Sequence, residues 1–150
     1  MRSVLEVFGD IALATKDTDV YSADELDWGL IDARATRFAI DGSGAVLFHR
    51  TGAHQDAAVV FTCKTADWNA ADDFIPFVTT GSAAVSTTKL LTGPQVKSLL
   101  GISTLLKGMA WVVPLPPAHL RYMRAGATPK SSGTLTACTL HAHLEYGPNV

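Results

Sequence analysis

Near the end of the chain, His141 and His143 flank a single alanine, and Glu145 follows. Alternate side chains of a strand share a face, so the two imidazoles would stand about 7 Å apart with the carboxylate beyond them. Metal-binding barrels of the cupin type use such a pair. They also need a Glu further along and a second His from a later strand, and the chain reaches Val150 without one. His49, His54 and His119 are scattered without ligand spacing. The expectation is that the histidines line an exposed or subunit-facing sheet surface and that no metal or cofactor is held.

Nucleophilic chemistry has less to stand on. There is no Gly-x-Ser-x-Gly elbow, and neither Cys63 nor Cys138 sits in a recognisable Cys–His context. Gly42-Ser43-Gly44 lacks the Lys-Ser/Thr of a phosphate loop and reads as a turn. Asp67, Asp72 and Asp73 surround Trp68-Asn69-Ala70-Ala71 and resemble a carboxylate pair only superficially. They are expected to be solvated loop carboxylates, without the oxygen spacing of an EF-hand. Trp28, Trp68 and Trp111 suit core or interface packing, with sugar-stacking platforms as the rival use. No catalytic, cofactor-binding or metal residue is assigned, and the chain is not expected to be an enzyme.

The elements that would position these groups are strands. Ala57, Val59, Phe61 and Cys63 alternate with Thr62 and Lys64. From Thr134 to Tyr146, one face carries Cys138, Leu140, Ala142, Leu144 and Tyr146, and the other carries His141, His143 and Glu145. Further strands are expected at Ala45–Thr51, Phe74–Thr79, Met109–Val113 and Leu120–Ala125, with weaker ones near Ile11–Thr15 and Val20–Asp27. Gly-, Ser- and Pro-rich turns separate them, including Asp41–Gly44, Thr80–Ser82, Pro114–Pro117 and Lys130–Gly133. After Pro94, residues 95–100 suit a short helix or loop ending at Gly101. The fold expected is all-β: an antiparallel, jelly-roll-like β-sandwich of about eight strands with one short helix or loop insertion.

Composition agrees. At 150 residues the chain suits a single domain, 1–150, with residues 1–19 as a candidate N-terminal arm, whose apolar Val4, Leu5, Val7 and Phe8 either pack as a first strand or reach onto a neighbour, and 20–146 as the sandwich. Hydrophobic residues are 47% and charged residues 17%, below the roughly 25% of an average soluble protein. Such a surface suits a protein covered by partners. No apolar stretch approaches the roughly 20 residues that span a bilayer, and the N-terminus does not read as a signal peptide. Neither a membrane nor nucleic acid is expected as a partner, and the chain is expected to stay in the cytosol where it was made. There the two cysteines would be buried thiols. Residues 1–73 hold 13 acids and 6 bases; residues 74–150 hold one acid, Glu145, and 6 bases. That asymmetry is either an accident of strands that interleave in space or a molecule with one acidic and one basic face.

Two stretches carry a family likeness. One is Ala58-Val59-Val60-Phe61-Thr62-Cys63-Lys64-Thr65-Ala66-Asp67. The other is Met109-Ala110-Trp111-Val112-Val113-Pro114-Leu115-Pro116-Pro117-Ala118-His119-Leu120-Arg121-Tyr122-Met123-Arg124, followed by a small-residue turn and the strand from Gly133 to Leu140. The order is similar to that of the cement (decoration) proteins of tailed-phage capsids, the family typified by the Bordetella phage cement protein. There, too, a strand ending in Pro-x-Pro-Pro leads to an Arg-Tyr-x-Arg strand, a small-residue turn and a last strand. The likeness covers about residues 58–145 well and 20–57 loosely; the longer, acidic N-terminal region departs from it.

The resemblance implies a jelly-roll capsid protein on the virion exterior. It would bind the major capsid protein and itself, as a homodimer or homotrimer, and stabilise the shell by bridging neighbouring capsid subunits. It brings no catalytic residues. The proline pair also has a reading of its own, since two fixed φ angles and two missing donors make one strand stop and the next start at a set angle. In that next strand His119 and Arg121 fall on one face, Tyr122 and Arg124 on the other. The alternatives are another jelly-roll virion component (a head–tail or tail subunit) and a carbohydrate-binding module.

Overall fold

The computed structural model describes residues 7–29, 36–40, 46–50, 56–65, 72–130 and 138–146. Its strands are β1 (Val7–Ala12), β2 (Val20–Tyr21), β3 (Leu26–Asp27), β4 (Thr36–Ile40), β5 (Val46–Arg50), β6 (Ala57–Cys63), β7 (Phe74–Gly81), β8 (Lys89–Thr92), β9 (Ala110–Pro114), β10 (Ala118–His119), β11 (Tyr122–Pro129) and β12 (Thr139–Tyr146). One short helix, α1 (Val96–Leu100), lies between β8 and β9. No helix of the described residues is long and apolar enough to cross a membrane.

Two antiparallel sheets pack as a sandwich. One has the order β1-β12-β6-β9; the other has the order β2-β11-β7-β8, with β3 continuing the β2 edge alongside β11. The pairings follow a simple rule: β1 with β12, β2 and β3 with β11, β6 with β9, and β7 with β8. First meets last, second meets second-last, and so on inward. This is a long hairpin rolled over itself, the jelly-roll topology. The β4–β5 hairpin stands apart and picks up β10 to make a small third sheet.

Alternation explains which faces are buried. Val59, Phe61 and Cys63 of β6 and Leu140, Ala142 and Leu144 of β12 point inward, as the pattern predicted. They meet Met123, Ala125 and Ala127 of β11 and Phe74 and Val78 of β7. Trp28 is fully buried against the His119 ring, with centroids 4.4 Å apart. β1 breaks strict alternation, because Phe8 and Ile11 are three apart and both wholly buried. A bulge reconciles them: the register slips between Val7 and Gly9, and Gly9 takes φ +87°, which glycine adopts without strain.

Several boundaries differ from the sequence reading. The first strand begins at Val7, ahead of Ile11, and Val7 and Phe8 pack as a first strand, one of the two readings of that segment; residues 1–6 lie outside the described residues. β7 runs through Thr80-Gly81, which had read as a turn. The expected strand from Leu120 starts only at Tyr122, and a bend at Arg121 separates His119 from it. His119 is therefore buried under Trp28 while Arg121 is exposed, so the two do not share a face. β4 and β8 had no clear signal. The helix matches expectation: it ends where Gly101 adopts φ +65° and donates its N–H to the Lys97 carbonyl. Residues 131–137, including the start of the expected last strand, lie outside the described residues.

On the outer face of the second sheet, Phe77 is fully buried between Tyr21, at 5.6 Å edge to face, and the Lys89 ammonium, 4.5 Å above the ring. Gly126 lies directly across from it on β11. A Cβ there would overlap the Phe77 ring and approach the Val20 carbonyl oxygen to 2.8 Å. Gly126→Ala is therefore expected to cost about 1–3 kcal/mol by overpacking. Urea unfolding should show that loss shrinking when Phe77→Leu is combined with it.

Candidate functional site

The outer face of the β1-β12-β6-β9 sheet divides in two. One half is polar. His141 faces Asp10 across the β1–β12 ladder, with Nδ1 3.1 Å from Oδ1, and the Lys64 ammonium donates to Asp10 Oδ2 at 2.6 Å. His143 lies two residues on, its Nε2 2.7 Å from Glu145 Oε1. The two imidazoles share a face as predicted, with centroids 6.2 Å apart. They answer to different carboxylates. His141 is partly exposed, but His143 is 6% exposed, so only the first lines an open surface as expected. The Nδ1 of His143 has no hydrogen-bond partner among the described residues. Among those residues, no three His, Cys, Asp or Glu side chains are grouped to hold a metal ion. His54 lies outside the described residues.

The other half is apolar. Ala58 and Val60 of β6 sit beside Ala110, Val112 and Pro114 of β9, and Val112 is 55% exposed. The register places Pro114 opposite Ala58 and Ala58 opposite Glu145. There the face dips into an open depression of about 280 Å³ that also reaches Asp56 and Leu115.

The second sheet carries a charged network on its outer face. Arg124 stacks 4.0 Å over the Tyr21 ring, donates from Nε to the Ser86 carbonyl at 2.9 Å, and lies 3.7 Å from Glu25. Glu25 accepts from the Val85 N–H at 2.8 Å and from both the N–H and hydroxyl of Ser86 at 2.9 Å. These bonds hold the β7–β8 loop. Val85 sits there at φ +61°, a strained conformation for a β-branched residue, with its side chain 71% exposed. The arrangement fixes an apolar loop tip; it does not gather reactive groups around a cavity. The likeness had singled out Arg124, but nothing in the sequence pointed to Glu25, whose loop partners lie about sixty positions away.

The charge asymmetry resolves locally. Bases of the second half pair with acids of the first: Lys89 with Asp19 at 3.0 Å, Arg121 with Asp27 at 2.8 Å, Arg124 with Glu25, and Lys130 with Asp17. Rolling the hairpin sets the first half of the chain beside the second, so charges segregated in sequence become neighbours in space.

The acid cluster is corrected too. Asp72 and Asp73 are buried, each 4% exposed, where solvated loop carboxylates had been expected; Asp67 lies outside the described residues. Asp73 accepts from the Phe74 N–H at 2.8 Å, from Gln95 at 2.8 Å and from the Lys97 N–H at 3.0 Å. It caps α1 from the residue just before β7, in place of the absent side-chain cap at Gln95. Asp72 accepts from the Cys138 thiol at 3.4 Å. Of the tryptophans, Trp28 is buried and cannot serve as a sugar platform, Trp111 is partly buried, and Trp68 lies outside the described residues.

In comparisons with known proteins, no family model matches the chain and no curated protein matches it.

Two measurements follow from these environments. The Lys64 ammonium holds the Asp10 carboxyl below its ordinary 3.8, and the Arg121 guanidinium does the same for Asp27. A carboxyl depressed on folding adds stability above its unfolded value and loses it as pH falls through the folded one. Stability should hold down to about pH 3.8 and drop below it, and Asp10→Asn with Asp27→Asn should flatten that acid limb in denaturant titrations. Burial pushes the Cys63 thiol up to about 11, so the reactive thiolate is scarce at neutral pH. Thiol reagents should modify Cys63 only as fast as the protein opens, so labelling should speed up in step with unfolding as urea is added.

Proposed function

We propose that the protein is a non-enzymatic capsid cement protein, binding the outside of a tailed-phage head and bridging neighbouring major-capsid subunits. The observation that carries this reading is where the family likeness falls. Its two stretches correspond to β6 and to the run from β9 through β10 into β11, with β6 and β9 paired side by side in the first sheet. The Pro-x-Pro-Pro segment takes the chain out of the first sheet into β10 of the small third sheet, ahead of β11, and Arg124 of the Arg-Tyr-x-Arg strand holds the β7–β8 loop.

The surfaces suit a clamp. Half of one outer face presents small and apolar side chains over β6 and β9, and a fixed loop presents Val85. Modest contacts of this kind gain strength when many copies engage one shell. A shell under internal pressure opens at seams between capsomers, and a protein seated across a seam must be peeled off first. Burial of Trp28 weakens the carbohydrate-binding alternative.

The test is to mix the purified chain with bare shells of the major capsid protein encoded in the same genome and image the particles. Regularly spaced density on the outer surface is expected, together with a higher temperature for shell disruption. Binding to polysaccharide with none to shells would overturn the reading in favour of a sugar-binding module. Formation of rings or tubes by the protein alone would favour a tail component.

A further inference from the structure

We propose that β9 is a dimerisation edge, pairing antiparallel with β9 of a second copy of this chain about a two-fold axis at Val112. The proposal stands independently of the shell-binding reading. Among the described residues β9 is an end strand, bonded to β6 on one side only. The phase of that ladder is fixed by the Leu115 N–H donating to the Ala57 carbonyl and the Cys63 N–H donating to the Met109 carbonyl. Residues 109, 111, 113 and 115 therefore turn their backbone groups toward β6, and residues 110, 112 and 114 turn theirs to the open edge.

That edge lacks the charged side chains that usually blunt one. Its sequence is Ala-Trp-Val-Val-Pro, and Ala110, Val112 and Pro114 are all exposed. With Val112 opposite Val112 of the second copy, each donates to the other's carbonyl. Ala110 then lies opposite Pro114, which has no N–H but can accept from Ala110. Every outward N–H of the strand finds an acceptor, and the proline costs nothing in this register.

Charge selects the same partner. Lys107 lies just before β9, and Asp56 lies beside its far end, where Ala57 bonds Leu115. Both are exposed, and neither has an ionic partner among the described residues. An antiparallel two-fold brings Lys107 of each copy to the end of the strand where Asp56 of the other lies, so the edge is self-complementary. The apolar halves of the two outer faces would then join into one eight-stranded sheet with the two Val112 side chains meeting at the axis. A strand of five residues is a short seam, so association should depend on concentration.

The experiment uses a residue that meets its own copy. Wild-type protein should pass from monomer to dimer between micromolar and millimolar concentration in sedimentation velocity, with amide exchange at Ala110 and Val112 slowing in parallel. Val112→Asp and Val112→Lys should each weaken self-association at least tenfold while keeping the monomer's circular dichroism, since the side chain is already half exposed. An equimolar mixture of the two should recover the dimer. A monomeric wild type, a Val112→Asp protein that associates as well as wild type, or a mixture that stays monomeric would each overturn the proposal.

Discussion

The structure depends on the antiparallel pairing of each strand of the first half with its counterpart in the second. Apart from the β7–β8 hairpin, the paired sets form between segments far apart in sequence, so little of the fold is local and loop-closure entropy must be overcome before contacts compensate it. What compensates is burial between the layers, where one fully buried large apolar side chain contributes about 1.5–3 kcal/mol. A half-exposed ion pair such as Lys89–Asp19 contributes only about 0–1 kcal/mol. The core therefore decides that the sheets pack, and the ion pairs act mainly on which strands lie side by side.

Much of this was legible where alternation was clean. In β6 and β12 the inward residues were identified correctly because both strands lie in the middle of a sheet with one face buried against the other layer. The bounds of β1 were not legible, because its bulge puts Phe8 and Ile11 on one side, a spacing that period-two reading rejects. β7 ran past its expected end because Gly81 had been read as a turn, whereas it pairs with Tyr122. A short edge strand such as β8 leaves too few alternations to recognise.

The candidate surfaces were partly readable. His141, His143 and Glu145 share a face because a strand requires it. Their division between two carboxylates depends on the register with β1, which no local pattern encodes. Asp73 was misread for the same reason: a carboxylate between two strands looks solvated until the helix it caps is placed over it. Glu25, Ser86 and Arg124 form one network from three separated stretches, and only the rolled hairpin brings them together.

Between β2 and β3, four residues stand opposite two of β11, and the excess loops across to the other layer. There the Ala23 and Asp24 amides donate to the Asp10 and Phe8 carbonyls of β1 at 3.1 and 2.9 Å. The layers are thus stitched by main chain along one margin. Among the described residues no such stitch is seen on the β8–β9 margin. Under load the sandwich behaves like a bound book: tension that parts the covers is resisted at the spine and yields first at the fore-edge, beside α1.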